Sequence, residues 1–108
     1  MSTASPVKIA GIGISLLAII IIGACAAPPG DPETGKKWYT MHNCGSCHGP
    51  NGYDGKAVSI AGLDMGFGSF VRKLRKTDAS IMPPFPESKI SEQDAAEIYA
   101  YLKSLKEP

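Results

Sequence analysis

The chain has 108 residues, of which 44% are hydrophobic, and a formal net charge of +1. This length accommodates one ordinary domain and excludes a TIM barrel, a doubly wound sheet and a two-domain enzyme. The apolar residues are unevenly spread, with 15 in the 19 positions of 9–27 and 29 in the 81 positions of 28–108. The second segment is close to the size limit for an unaided apolar core. We therefore expect a metal, a disulfide or a cofactor to complete that core.

Residues 1–24 have the pattern of a lipoprotein-type signal or a membrane anchor. Lys8 precedes an uncharged run over 9–22, and small residues follow that run. The sequence Ile22-Gly23-Ala24-Cys25 resembles a bacterial lipobox, which predicts lipidation of Cys25. Two alternatives stay open: an uncleaved transmembrane anchor, since 9–27 is long enough to cross a bilayer, and a soluble protein released by cleavage. All three predict that the domain is exported.

Residues 25–32 predict a stiff proline-rich spacer, and residues 33–108 predict the folded domain. We expect the domain to be tethered on the periplasmic or outer face of a bacterial cytoplasmic membrane, with the outer membrane as an alternative. The first helix should be capped by Asp31 or Thr34 and should end near Asn43.

The motif that carries chemistry is C-x-x-C-H, formed by Cys44, Cys47 and His48. It is the signature of covalent haem attachment. Two thiols at this spacing can add to the two vinyl groups on one edge of a haem, and the adjacent histidine then supplies an axial nitrogen to the iron. The motif therefore predicts one covalently bound haem c.

Three other interpretations of this motif are weaker. A structural zinc site usually draws its ligands from two separated pairs, and no second pair exists here. A thioredoxin-like redox pair would follow a strand, and no strand pattern precedes Cys44. A disulfide between Cys44 and Cys47 would close a short loop and stabilise little.

Residues 69–76 predict a short helix with Phe70 and Leu74, together with Val71, directed inward. The same segment carries four basic residues: Arg72, Lys73, Arg75 and Lys76. They form a solvated face, pair with haem propionates, or steer a redox partner with an acidic docking face. Nucleic acid is not expected, because the exported chain from Cys25 onward has 10 basic and 10 acidic residues.

Met82 is the candidate for the second axial ligand of the iron. It lies in Ile81-Met82-Pro83-Pro84-Phe85-Pro86, and the prolines predict a stiff, extended loop that can hold a thioether against a metal. Met65, in a glycine-rich segment, is the alternative. Met41 and His42 are too near the attachment motif to reach the opposite haem face easily.

The last predicted element is a helix from Ser91, a good N-cap, to Leu105. Its apolar residues repeat at helical spacing and should form one buried face: Ala95, Ile98, Leu102 and Leu105.

Taken together, these segments resemble a small class I bacterial cytochrome c. Gly35-Lys36-Lys37-Trp38-Tyr39 resembles the first helix of that family, His48-Gly49-Pro50-Asn51-Gly52 the segment after the haem histidine, Met82-Pro83-Pro84-Phe85 the distal loop and Ser91–Leu105 the terminal helix. The resemblance covers roughly residues 33–106. It implies an all-α fold of three to four short helices around one haem, with Cys44 and Cys47 as thioether sites and His48 and Met82 as axial ligands.

The resemblance also implies a function in electron transfer. We expect a one-electron carrier of an exported respiratory or photosynthetic chain, working with membrane-bound or soluble redox proteins, and not an enzyme. The alternatives are a haem c subunit or electron-entry module of a larger membrane oxidoreductase or oxidase, and a sensor or peroxidase-like haem. Many relatives have a proline near the position of Ile60 whose carbonyl orients the haem histidine. Here we expect a backbone carbonyl within 57–62 to do so.

Overall fold

Four α-helices form the part of the chain that the computed structural model describes, residues 27–77 and 81–107. They are α1 (Pro32–Met41), α2 (Gly45–His48), α3 (Phe67–Arg75) and α4 (Glu92–Ser104). Those residues contain no strand, which confirms the predicted all-α fold. None of these helices combines the length and the apolar character that crossing a membrane requires. Cys25 and the predicted signal segment lie outside the described residues.

Helix α1 begins and ends at residues that explain its length. Asp31 is the N-cap, and its side chain accepts hydrogen bonds from the backbone N–H and the hydroxyl of Thr34, at 3.0 and 2.7 Å. Helix α1 therefore uses Asp31, one of the two predicted caps. After His42, Asn43 has a φ of 59°, a left-handed conformation that asparagine tolerates. This residue ends α1 and turns the chain into α2.

Helices α1 and α4 cross in close contact. Gly35 of α1 is buried, and a Cβ added there would collide with the backbone carbonyl of Glu97 in α4. Beside this crossing, the indole N–H of Trp38 donates to the carboxylate of Glu97 at 3.1 Å. The rings of Tyr39 and Tyr101 meet edge to face, with centroids 5.5 Å apart. A glycine at the crossing therefore lets the two backbones approach closely.

Helix α3 packs on the same α4. It begins at Phe67, two residues before the predicted start, and its Phe70 and Leu74 are buried as expected. The ring of Phe67 contacts Tyr99 of α4, with centroids 5.4 Å apart, so a tertiary contact supports the two additional helical residues. Helix α4 thus lies between α1 and α3.

Helix α4 has the predicted start and buries three of the four predicted residues, Ala95, Ile98 and Leu102, whereas the fourth, Leu105, is its half-buried C-cap. Ser91 caps it, and a capping box forms in which Ser91 and Asp94 each accept the backbone N–H of the other. Two further residues of α4 are buried: Ala96, whose backbone lies against Gly30, and Tyr101, whose ring contacts Tyr39 of α1.

The end of the predicted spacer contacts the domain. The carbonyl of Pro29 accepts a hydrogen bond from Gln93 Nε2 at 2.9 Å. Gly30 lies so close to the backbone of Ala96 that a Cβ at this position would collide with it. Residues 29 and 30 therefore pack against α4, before the predicted domain start at residue 33.

Candidate functional site

The C-x-x-C-H motif occupies one turn of helix between α1 and a loop. The backbone N–H of His48 donates to the carbonyl of Cys44 at 3.0 Å, which winds the motif into a single turn. Cys44 is half-buried and lines an apolar cavity, whereas Cys47 is exposed and does not line it. Burial raises the pKa of the Cys44 thiol to about 11, so this thiol is protonated at neutral pH.

The imidazole of His48 is oriented by a backbone carbonyl. Its Nδ1 lies 2.8 Å from the carbonyl oxygen of Val58. A carbonyl can only accept a hydrogen bond, so in the neutral imidazole the tautomer that fits has its proton on Nδ1 and a free lone pair on Nε2. This contact confirms the expected acceptor within 57–62. It is the arrangement that metal-bound histidines usually show.

The loop after His48 is held by α1 and by its own turn. The hydroxyl of Tyr39 donates to the carbonyl of Gly49 at 2.6 Å. Gly49 has a φ of +90°, and a Cβ there would collide with the side chain of Asp54. The carboxylate of Asp54 accepts from the backbone and side-chain N–H groups of Asn51, and these bonds lower the pKa of Asp54. The turn that follows His48 is therefore held by a hydrogen bond from α1 and by hydrogen bonds within the turn.

A cavity of about 230 Å³ opens beside Cys44 and His48. Its wall is built mainly from aliphatic and aromatic side chains contributed by the loops and by α1, α3 and α4. The remaining lining residues are Tyr39, Val58, Ile60, Leu63, Met65, Phe70, Lys73, Leu74, Thr77, Met82, Ile98 and Leu102. An apolar wall with few polar groups suits an apolar ligand.

Two methionine side chains line this cavity. Met82 is half-buried, and Met65 is 36% exposed. Met41 is 66% exposed and does not line the cavity. His42 also lies outside it, with its ring between Trp38 and Phe85 at centroid distances of 6.1 and 5.8 Å. The structure thus brings Cys44, His48 and both candidate methionines to one cavity.

The zinc interpretation does not fit this geometry. Across 27–77 and 81–107, no three His, Cys, Asp or Glu side chains group so that they could hold a metal ion. His42, which such a site would need, packs against aromatic rings. The two thiols, the His48 lone pair, the thioether and the apolar wall instead suit a covalently attached haem.

The four basic residues of α3 separate into two environments. Arg72, Lys73 and Lys76 are exposed, and Lys73 lines the cavity. The guanidinium of Arg75 turns inward, where Nη1 donates to two backbone carbonyls, those of Phe85 and Ile90. Arg75 therefore belongs to the packing of the Met82 loop.

Three contacts of this site were not predicted from the sequence: the hydrogen bond of the Tyr39 hydroxyl, the turn at Asp54 and the inward orientation of Arg75. Asp54 follows Asn51 by three residues, and such residues often form side-chain turns, so a signal existed there. Arg75 had no such signal, because it stands among three other cations.

Residues 30–102, more than half of the chain, match the family described as cytochrome c oxidase, cbb3-type, subunit III. No curated protein and no solved structure matches the chain significantly.

Proposed function

The chain belongs to the cytochrome c family described as cbb3-type cytochrome c oxidase subunit III, and on that premise we propose that it relays single electrons to a membrane-bound oxidase. The family binds a covalent c-type haem, and haem-based electron transfer is its chemistry. For this chain we assign Cys44 and Cys47 as the thioether sites and His48 and Met82 as the axial ligands.

One observation carries the assignment: the 2.8 Å contact between His48 Nδ1 and the Val58 carbonyl. It presents the Nε2 lone pair of a histidine in the attachment motif as a ligand, and the histidine lines an apolar cavity. The proton on Nδ1 has an acceptor already, so the ring does not need to reorganise to bind iron.

When bound, the haem supplies a one-electron couple between ferric and ferrous iron. The chain's own residues tune that couple. The thioether of Met82 is a soft, neutral ligand that favours the ferrous form relative to a second histidine. The aliphatic wall, with Ile98 and Leu102, excludes water and penalises the extra positive charge of the ferric form.

The test is the optical spectrum of the purified holoprotein. Wild type should keep its haem after denaturation and should show the absorption band typical of methionine–iron ligation when oxidised. Met82→Ala should lose that band and let the reduced protein bind carbon monoxide rapidly. Met65→Ala is the matched control and should keep the band. Absence of covalent haem would refute the function, and loss of the band only in Met65→Ala would move the ligand to Met65.

The domain could serve an oxidase in either of two roles. The family description supports a fixed subunit or electron-entry module, whereas the single haem motif also suits a carrier that moves between complexes. Affinity purification from native membranes separates the two. A terminal oxidase recovered at a constant ratio supports a subunit, and recovery of the domain alone supports the mobile carrier.

We also propose that lipidated Cys25 tethers the exported domain to the membrane. This rests on the lipobox-like sequence Ile22-Gly23-Ala24-Cys25. Mass spectrometry of the mature protein should find a modified Cys25 at the N-terminus. An intact Met1 would support an uncleaved anchor instead.

A further inference from the structure

Arg75 connects the end of α3 to the segment that carries Met82. Its Nη1 donates to the carbonyl of Phe85 at 3.1 Å and to the carbonyl of Ile90 at 2.6 Å. We propose that Arg75 is a positioning residue that holds Met82 toward the cavity and thereby keeps the sixth iron ligand in place. This inference rests on the proposed role of Met82.

The segment that follows Met82 has few backbone donors with which to hold itself in place. Pro83, Pro84 and Pro86 have no N–H group, so the segment lacks three of the donors that would pair it with a neighbour. The carbonyl of Pro86 accepts from the backbone N–H groups of Lys89 and Ile90, but other carbonyls between Met82 and the start of α4 need donors from elsewhere, because an unpaired buried carbonyl is costly. Arg75 supplies a donor to two of them.

Arginine suits this task better than lysine. Its guanidinium is planar, always charged and offers five donors in a fixed fork, and charge-assisted hydrogen bonds are stronger than neutral ones. The two carbonyls belong to residues five positions apart, one half-buried and the other fully buried: Phe85 and Ile90. The chain turns at residues 87–89, and the Arg75 side chain therefore holds both sides of this turn.

We call the hydrogen bonds that hold Phe85 and Ile90 to α3 the clamp, and one of them is a backbone hydrogen bond. The N–H of Phe85 donates to the carbonyl of Leu74 at 2.6 Å, next to Arg75 in α3. Phe85 is thus held through its N–H by Leu74 and through its carbonyl by Arg75. Only Pro83 and Pro84 separate it from Met82, and their fixed φ angles leave little freedom between the clamp and the ligand. Loss of the clamp should therefore be felt at Met82.

Arg72 provides a matched control on the same helix. It is exposed, and its Nη2 donates to Ser69 Oγ at 3.1 Å, one turn back on α3. Replacing it removes the same charge and a comparable side chain without touching the Met82 segment.

The experiment uses holoprotein variants Arg75→Met, Arg75→Lys and Arg72→Met. Three quantities are measured: the methionine–iron absorption band of the oxidised form, the reduction potential, and the rate at which the reduced form binds carbon monoxide. Carbon monoxide needs the methionine to leave, so the rate reports the population without this ligand. Arg75→Met should raise that rate roughly tenfold, weaken the band and lower the potential. Arg75→Lys should restore part of each change, and Arg72→Met should match wild type.

Each outcome decides a different claim. If Arg75→Met matches Arg72→Met in all three measurements, the positioning role is wrong. If Arg75→Met does not fold, Arg75→Lys is compared with Arg72→Met instead. A wild-type absorption band and a wild-type carbon monoxide rate in both of these variants would then overturn the proposal. Met82→Ala is measured in parallel. An unchanged band in that variant refutes Met82 as the ligand, which is a failure of the proposed function and not of the clamp alone.

Discussion

The hydroxyl of Tyr39 joins α1 to the turn that follows His48, through its 2.6 Å bond to the Gly49 carbonyl. Tyr39→Phe leaves that carbonyl without its donor, and Tyr39 is 2% exposed. We expect a loss of about 1–3 kcal/mol in the free energy of unfolding, measured by urea denaturation of the holoprotein. Tyr101→Phe is the control, because the Tyr101 hydroxyl makes no hydrogen bond within the described residues. Equal losses in the two variants would contradict the role of the Gly49 bond.

The same tyrosine adds a pH dependence. Burial raises the pKa of Tyr39 to about 12 in the folded protein. The unfolded chain therefore loses this proton at a lower pH than the folded one, so stability falls as the pH rises from about 10 to 12. Tyr39→Phe should lose less stability over this interval than wild type. Because burial also raises the pKa of Tyr101, a smaller alkaline loss should remain in that variant.

Single residues also show what the sequence could predict about the site. The motif predicted that Cys44 and His48 act together, and the prolines predicted a stiff loop at Met82. All three residues line one cavity. The window 57–62 was predicted, but Val58 itself was not, because a backbone acceptor has no residue-type signal. Arg75 looked like its basic neighbours, and only the tertiary structure shows which cation turns inward.

Among the helices, the crossing of α1 and α4 leaves no room for a Cβ at Gly35. Gly35→Ala would place a methyl group against the Glu97 carbonyl, so the helices must separate. We expect a loss of about 1–3 kcal/mol, seen as a lower thermal midpoint of the holoprotein. Gly68→Ala in α3 meets no atom within 4 Å and should stabilise by about 0.5–1 kcal/mol, because alanine favours helix. Changes of the same sign in both variants would count against the close crossing.

Signals within a short stretch of sequence predicted a helix well where that helix did not depend on distant residues. Ser91 and the spacing of Ile98 and Leu102 located α4, since capping and periodicity are properties of short segments. The early start of α3 at Phe67 was not predicted, because it depends on Tyr99, a residue distant in sequence. The contact of Pro29 with Gln93 was missed for the same reason.

For the interaction of the whole molecule with charged partners, the distribution of charge matters more than the net charge. The chain from Cys25 onward has equal numbers of acidic and basic residues, yet α3 presents exposed cations beside the cavity. Arg72 and Lys76 flank Lys73, which lines the cavity itself. Exposed apolar side chains lie on the loops near it: Val58 at 75% and Ile81 at 83%. A basic and apolar surface around an electron-transfer site should favour anionic reaction partners.

Small charged redox reagents test this preference for anionic reaction partners. Electron exchange with an anionic iron–cyanide complex should slow severalfold as the ionic strength rises from about 0.01 to 0.15 M, because the screening length shrinks from about 30 to 8 Å. A cationic ruthenium–ammine complex should show no such decrease. The double variant Arg72→Gln, Lys76→Gln should lose most of the salt dependence. The control double variant Lys36→Gln, Lys37→Gln lowers the net charge by the same amount, but its two residues lie on α1, outside the cavity lining. This control should keep the salt dependence. If both double variants reduce the salt dependence equally, the reagents respond to net charge and the α3 surface does not steer them.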